Sequence, residues 1–268
     1  MSDIIVWAYS IYGDDKTRYY DPMQENIKAA KDLGVKILIF TTKDSLNEVV
    51  SYFQEFIRDV KIEVIEDEFF NKFPKFMRFI ASEVIDGDYY FFKDSDSVVT
   101  RREIGVMNDF ISKENCDCMI IRDHPHHIAP ILAGMFGLTA KKAREFVLRL
   151  NETKEAVYGS PQSEYSYDQD WLEKYIYPDF VRTAMIYTDF IYFKNEKFTR
   201  IGRSLQCYGY IGAQRWKKIL GVSDANALFW VYKNKILCIP GIYWYRLFKG
   251  KIRVVVIFSY LYTIFIKK

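Results

Sequence analysis

Two rhythms of apolar residues alternate along this chain. Short β-branched and aromatic runs recur at IIVWAYSI (4–11), VKILIFTT (35–42), KIEVIED (61–67), DYYFF (88–92) and CDCMIIRD (116–123). Runs of this length and composition predict buried strands. Between them the apolar residues fall at helical spacing. MQENIKAAKDLG (23–34) follows Pro22 and stops at a glycine, as helices often do. DSLNEVVSYFQEFIRDV (44–60) opens on an Asp/Ser cap and predicts one amphipathic helix. PKFMRFIASEVID (74–86) has proline in its first turn, and RREIGVMNDFISK (101–113) predicts another helix. Strand and helix alternate, and the strands read apolar on both faces. That predicts an α/β fold with a mainly parallel sheet flanked by helices. Ligands of such sheets sit beyond the carboxyl ends of the strands. Asp94 and Asp96 fall just past the run YYFF, where a ligand is expected.

Composition narrows the class. Half of the 268 residues are hydrophobic and 27% are charged, which suits one packed domain with or without an appendage. The aromatic share of 18% fits an aromatic-rich core or sugar-stacking surfaces. Charge is unevenly spread. After Asp224 there are eight basic residues and no acidic one, whereas the first 224 residues carry a net −5. An acidic body with a basic, aromatic tail argues against nucleic acid and for an anionic membrane surface as partner. The four cysteines, Cys116, Cys118, Cys207 and Cys238, show no zinc spacing and read as reduced core thiols. The N-terminal MSDIIVWAYSIYG lacks a basic leader and reads as a first strand. No glycine-rich dinucleotide fingerprint, P-loop or nucleophile elbow is present.

Aspartates at i and i+2 in a strand-ending turn suit a hard cation such as Mg²⁺ or Mn²⁺, which prefers oxygen ligands and substrate phosphates. The same pair also suits a plain polar turn. Asp168 is either a helix cap or a site residue. The histidines of DHPHH are a zinc cluster, a polar loop lining a sugar cleft, or plain surface. Arg78 is a surface ion-pair former or a cleft residue, Lys93 balances the aspartates, and Arg101-Arg102-Glu103 is a solvated helix start or a diphosphate contact. Tyr9 and Tyr12 belong to core or cleft.

The stretches FFKDSDSVVTRREIGVMNDFI and IIRDHPHHIAPILAGMFG, with YDQDWLEKYIYP further on, resemble bacterial and viral surface-polysaccharide glycosyltransferases of the GT-A fold. The match covers Arg78 to about Gly137, with YDQDWLEKYIYP as a third piece. The resemblance implies a GT-A-like, Rossmann-like domain, a nucleotide-sugar donor, a saccharide or glycolipid acceptor, and Mn²⁺ or Mg²⁺. Carried over by position, Asp94 and Asp96 would hold the metal, with Asp94 also near the donor ribose. Tyr9, Ser10, Arg78, Ser95 and Gly134 would meet the donor, Gly134 by letting the backbone approach the sugar. The turn TTKDS (41–45) would help hold the nucleoside. Asp168 and Gln169 would lie beside the anomeric carbon or the acceptor. An inverting reaction needs a base, for which Asp123, His127 and Asp168 are candidates; a retaining one needs a donor-face stabiliser, for which Gln169 is suited. YDQDWL also resembles the Asp-Gln-Asp helix start of retaining galactosyltransferases and glycogenin-like enzymes, whose C-terminal histidine ligand has no counterpart here, because the corresponding stretch is QCYGYIGAQRW (206–216).

These features give a catalytic domain over 1–240 and a basic hydrophobic tail over 241–268. Ile252 to Ile266 is interrupted only by Arg253 and is shorter than the ~20 residues a spanning helix needs. It suits interfacial binding, which predicts a cytoplasmic protein on the inner face of a membrane. The alternatives are a sugar nucleotidyltransferase, which would carry a glycine-rich basic loop after the first strand, and a non-catalytic carbohydrate-binding subunit at the membrane, which would not need both aspartates.

Overall fold

A computed structural model of the chain describes residues 3–123, 127, 129–158, 167–189, 192–193, 196–202 and 211–212. The expected tail (241–268), His124, His126, Cys207 and Cys238 lie outside the described residues, as does most of 206–216. Cys116 and Cys118 are free, and Cys118 is buried. Among the described residues no helix is long and apolar enough to cross a membrane.

The α/β class is as expected. One sheet contains β1 (Ile5–Ser10), β2 (Lys36–Thr41), β3 (Val60–Val64), β4 (Tyr89–Lys93), β5 (Cys118–Arg122), β6 (Met135–Thr139), β7 (Ala184–Thr188) and β8 (Lys197–Thr199). Their order is β3-β2-β1-β4-β6-β5-β7-β8. β6 runs antiparallel to both its neighbours, and every other pairing is parallel. Seven strands therefore deliver their carboxyl ends to one edge, and β6 begins there. The order turns back at β1, which lies between β2 and β4. This switch point opens a crevice between the ends of β1 and β4.

Strand residues alternate between two buried faces. Val6, Ala8, Tyr90, Phe92, Ile120, Phe136 and Leu138 pack one face. Trp7, Tyr9, Phe91, Met119 and Ile121 pack the other, against Met23, Ile27, Val106 and Phe110 of the helices Asp21–Leu33 and Arg101–Ile111. The aromatic load is largely core. Phe79 meets the rings of Phe92, Phe136, Phe146 and Trp171 at centroid distances of 5.3–6.2 Å. Such pairs contribute about 0.5–1.5 kcal/mol each beyond their burial.

Local chemistry sets the helix ends. Gly34 takes the left-handed conformation at φ +68° and closes Asp21–Leu33. Thr100 caps Arg101–Ile111, accepting from the Glu103 N–H. The single helix expected over 44–60 is instead Leu46–Tyr52 followed by a 3-10 turn, Gln54–Phe56. Phe53 leaves the helical path and stacks on Tyr20 at 5.7 Å, so ring packing ends the helix. Ser45 does not cap it; its hydroxyl accepts from the Gly13 N–H and the Thr42 hydroxyl. The helix expected over 74–86 splits into a 3-10 segment, Pro74–Ile80, and a short helix, Ala81–Val84. Five consecutive residues of that segment, Phe76 to Ile80, are buried, a demand that an amphipathic α-helix with one apolar stripe does not meet.

Lys93, at the end of β4, does not balance the aspartates from the surface. Its amine is buried and paired with the equally buried Glu103 of the Arg101–Ile111 helix. Removing one member of a buried pair strands the other charge and costs about 3–5 kcal/mol, whereas replacing both with apolar groups is often neutral or stabilising. Chemical denaturation should therefore show a loss of that size for Lys93→Met, most of it recovered in Lys93→Met/Glu103→Leu. Equal loss in the single and double variants would show that the pair is not the source.

Candidate active site

The crevice between β1 and β4 is organised by one buried arginine. Arg78 is 4% exposed. Its backbone N–H donates to the Ser10 hydroxyl at the end of β1 (3.1 Å). Its guanidinium donates to the Lys93 carbonyl at the end of β4 (2.8 Å), to Asp94 Oδ1 (2.6 Å) and to Asp168 Oδ2 (3.1 Å). Burial alone would push the guanidinium down; Asp94 and Asp168 more than offset that, and the net shift is upward. Three other segments thus meet at Arg78: the end of β1 at its backbone, and the end of β4 with Asp94 and the segment of Asp168 at its guanidinium.

The two aspartates past β4 differ in setting. The Asp94 side chain is 48% exposed, whereas that of Asp96 is 7% exposed. Asp96 Oδ2 lies 3.6 Å from Arg18 Nε. Arg18 sits in a helical turn, Lys16–Tyr20, capped by Asp15, which accepts from the Arg18 N–H. Between them, Ser95 donates to the Ser10 carbonyl at 3.4 Å. Ser97 closes the turn by donating to the Asp94 carbonyl from its hydroxyl at 3.1 Å and from its backbone N–H at 3.4 Å. Ser10, Arg78, Asp94, Ser95 and Asp96 are therefore brought together.

Gly134 joins them through its contact with Asp94. A Cβ placed there would meet the Asp94 carboxyl carbon at 2.2 Å. The volume a side chain would fill holds the Asp94 carboxylate. Gly137 has the same relation to Phe91, whose ring would lie 2.4 Å from an added Cβ.

Asp168 and Gln169 lie in the helical turn Tyr167–Trp171. Asp168 Oδ2 takes the bond from Arg78, and Oδ1 accepts from the Gln169 N–H at 3.0 Å. Burial pushes this carboxyl up, and Arg78 pulls it back. The Gln169 carboxamide is engaged with backbone: Oε1 accepts from the Ala133 N–H at 3.2 Å, and Nε2 donates to the Ile131 carbonyl. Gln169 thereby clamps the segment that carries Gly134.

Of the other candidates, Tyr12 borders this cluster, whereas Tyr9 and Asp123 do not join it. Tyr9 is fully buried in the second face of the core, out of reach of a ligand at the strand ends. Tyr12 is the cleft tyrosine: burial pushes its hydroxyl up, and it feels Tyr167, Arg78 and Asp168. Asp123 is buried, and both its oxygens accept from Arg102, at 2.6 and 2.7 Å; Oδ2 also takes the Ile211 N–H. Arg102 further reaches Asp189 at 3.4 Å. It ties the ends of β5 and β7 together, and neither a solvated helix start nor a diphosphate contact describes it. His127 is half-buried in the β5–β6 connection.

Sequence reasoning missed Arg18 and Lys75, whose amine lies 5.1 Å from the Tyr167 ring centre. Their only sequence signal is a basic residue in a segment adjoining a strand end. Among the described residues no group of three His, Cys, Asp or Glu is placed to hold a metal ion. The donor set on offer is the two hard carboxylates, and Asp94 Oδ2 accepts no hydrogen bond from the described residues.

No protein-family model matches the chain, and no curated protein matches it in sequence. Solved structures do. A galactosyltransferase, LgtC, crystallised with donor and acceptor sugar analogues, is 13% identical, covering 68% of this chain and 73% of its own, with a TM-score of 0.47. A glycosyltransferase involved in glycosylating the major capsid of PBCV-1 is 13% identical, covering 68% and 80%, at 0.45. A 4-diphosphocytidyl-2C-methyl-D-erythritol synthase from Anaerococcus prevotii is 7% identical, covering 82% and 94%, also at 0.45.

The shared volume at Gly134 gives a direct test. Gly134→Ala must expel Asp94 from Arg78 and should cost about 1–3 kcal/mol, as overpacking does. In Gly134→Ala/Asp94→Ala the losses should add to less than the sum of the single variants, with a coupling of about 0.5–3 kcal/mol. Strict additivity in urea unfolding would refute the shared volume.

Proposed function

We propose that this protein is a glycosyltransferase that moves a sugar from a nucleotide-sugar donor to a saccharide acceptor. The observation that carries the reading is the half-exposed Asp94 carboxylate at the sheet's switch point, aimed by a buried arginine and backed by Asp96 and Arg18. Departure of a nucleoside diphosphate requires its developing charge to be met by fixed cations. Arg18 and Arg78 are two cations that reach Asp96 and Asp94 in this crevice. Asp94 and Asp96 fit Mn²⁺ or Mg²⁺ as a two-carboxylate oxygen set completed by phosphate and water. Such an ion, when bound, neutralises charge on the diphosphate.

The residues divide the remaining work. Arg78 fixes Asp94 by donating to its Oδ1. Tyr12 and Tyr167 border the same cluster. Of the three candidates for the acceptor's base, Asp168 is the one that stands in the Arg78 cluster, and the choice among Asp123, His127 and Asp168 belongs to the inverting reading alone. Gln169 serves by holding the Gly134 segment. A lipid-linked saccharide is the acceptor class that the basic, aromatic tail suits, since an anionic leaflet would attract it.

The test is calorimetric titration of the full chain with uridine and guanosine diphosphates, with and without Mn²⁺, followed by product analysis on the nucleotide sugar of whichever base binds. Metal-dependent binding, reduced at least about tenfold in Asp94→Asn, as loss of a charged partner predicts, together with release of nucleoside diphosphate, supports transfer. Consumption of a nucleoside triphosphate with release of pyrophosphate would replace this reading with nucleotidyl transfer. No binding of either nucleotide by folded protein would overturn it.

A further inference from the structure

Asn26 breaks the pattern of its helix. In Asp21–Leu33 the buried positions are Pro22, Met23, Asn26, Ile27 and Ala30. A carboxamide therefore occupies the middle of the apolar stripe and is 0% exposed. A polar group there has to be satisfied. Its partners are not in its own helix. Nδ2 donates to the Ser97 carbonyl at 2.9 Å, and Oδ1 accepts from the Val99 N–H at 2.8 Å. These two backbone groups flank one residue, so a single side chain grips an extended stretch at both ends.

Gln169 makes the same grip from the other side of the crevice, on the Ile131 carbonyl and the Ala133 N–H. The first grip falls just after Asp96 and the second just before Gly134. Between them lies the contact in which Gly134 admits the Asp94 carboxylate. Only a carboxamide presents a donor and an acceptor side by side. An aspartate at position 26 would keep the acceptor and lose the donor.

We propose that Asn26 is a positioning residue: it fixes the Asp94–Ser97 turn against the sheet, as Gln169 fixes the facing segment, and so sets where the two carboxylates stand. It touches no ligand itself. The consequence for nucleotide binding rests on the function proposed above; the consequence for the turn does not.

The experiment compares Asn26→Ala, Asn26→Asp and, as a destabilised control on the opposite face of the sheet, Leu150→Ala. Hydrogen exchange of the full chain is followed in peptides covering 94–100 and, within β2, 36–41. Binding of Mn²⁺ with the nucleoside diphosphate is measured in parallel. Exchange over 94–100 should quicken by about tenfold or more in both Asn26 variants, because a buried donor or acceptor loses its partner. Exchange over 36–41 should stay at the wild-type rate. Nucleotide binding should weaken by a similar factor in the Asn26 variants and be retained in Leu150→Ala.

Unchanged exchange over 94–100, or an equal rise over 36–41 in both Asn26 variants (including outright unfolding), would overturn the positioning role. Quickened exchange with undiminished nucleotide binding would overturn the link from the turn to the site. If wild-type protein binds no nucleotide, the transferase reading fails, and the exchange result alone decides the role of Asn26.

Discussion

A guanidinium inside an aromatic core has to be surrounded by carboxylates and carbonyls, and in this protein that requirement falls on Arg78. Taking the charge out of water costs several kcal/mol even after relaxation. The cost is offset only if acceptors arrive from several directions. They come from the end of β4, from Asp94 and from the Tyr167–Trp171 turn, while the Arg78 amide is tied to Ser10 of β1. The arginine therefore draws three segments, the end of β1, the end of β4 with Asp94, and the Tyr167–Trp171 turn, onto its own. The crevice is a product of solvation as much as of strand order.

The strand order supplies the rest. In a purely parallel sheet only carboxyl ends reach the functional edge. β6 runs the other way beside β4, with Met135 opposite Lys93, so the residues that precede β6 arrive beside Asp94. That is how Gly134 comes to share volume with a carboxylate forty positions earlier in the chain. Gln169, reaching from a different element, keeps that incoming segment in line.

The sheet was legible because its strands are apolar on both faces and its helices are striped. The Asp94/Asp96 turn was legible because two carboxylates follow a run with no polar break. Other features were hidden for physical reasons. Helix 44–60 divides at Phe53 because ring stacking on Tyr20 outweighs local propensity, and no local pattern records a partner thirty residues away. Tyr9 and Tyr12 are three residues apart and opposite in fate; strand alternation sends the first inward, and the end of the strand frees the second. Asp123 read as a base because its partner, Arg102, comes from an element that precedes it. The sequence likewise does not show that the Gln169 carboxamide engages the backbone at Ile131 and Ala133. Asn26 alone left a usable trace, as a polar residue in an apolar stripe.

Phe91 and Gly137 lie opposite each other on neighbouring strands and fill one volume between them. In evolutionary terms they form a single heritable unit. A larger residue at 137 is admissible only in a background where 91 has already shrunk, and a smaller residue at 91 alone leaves a cavity. The strand pair that aims Asp94 is thus shielded from gradual change by a steric contact lying well behind the site itself.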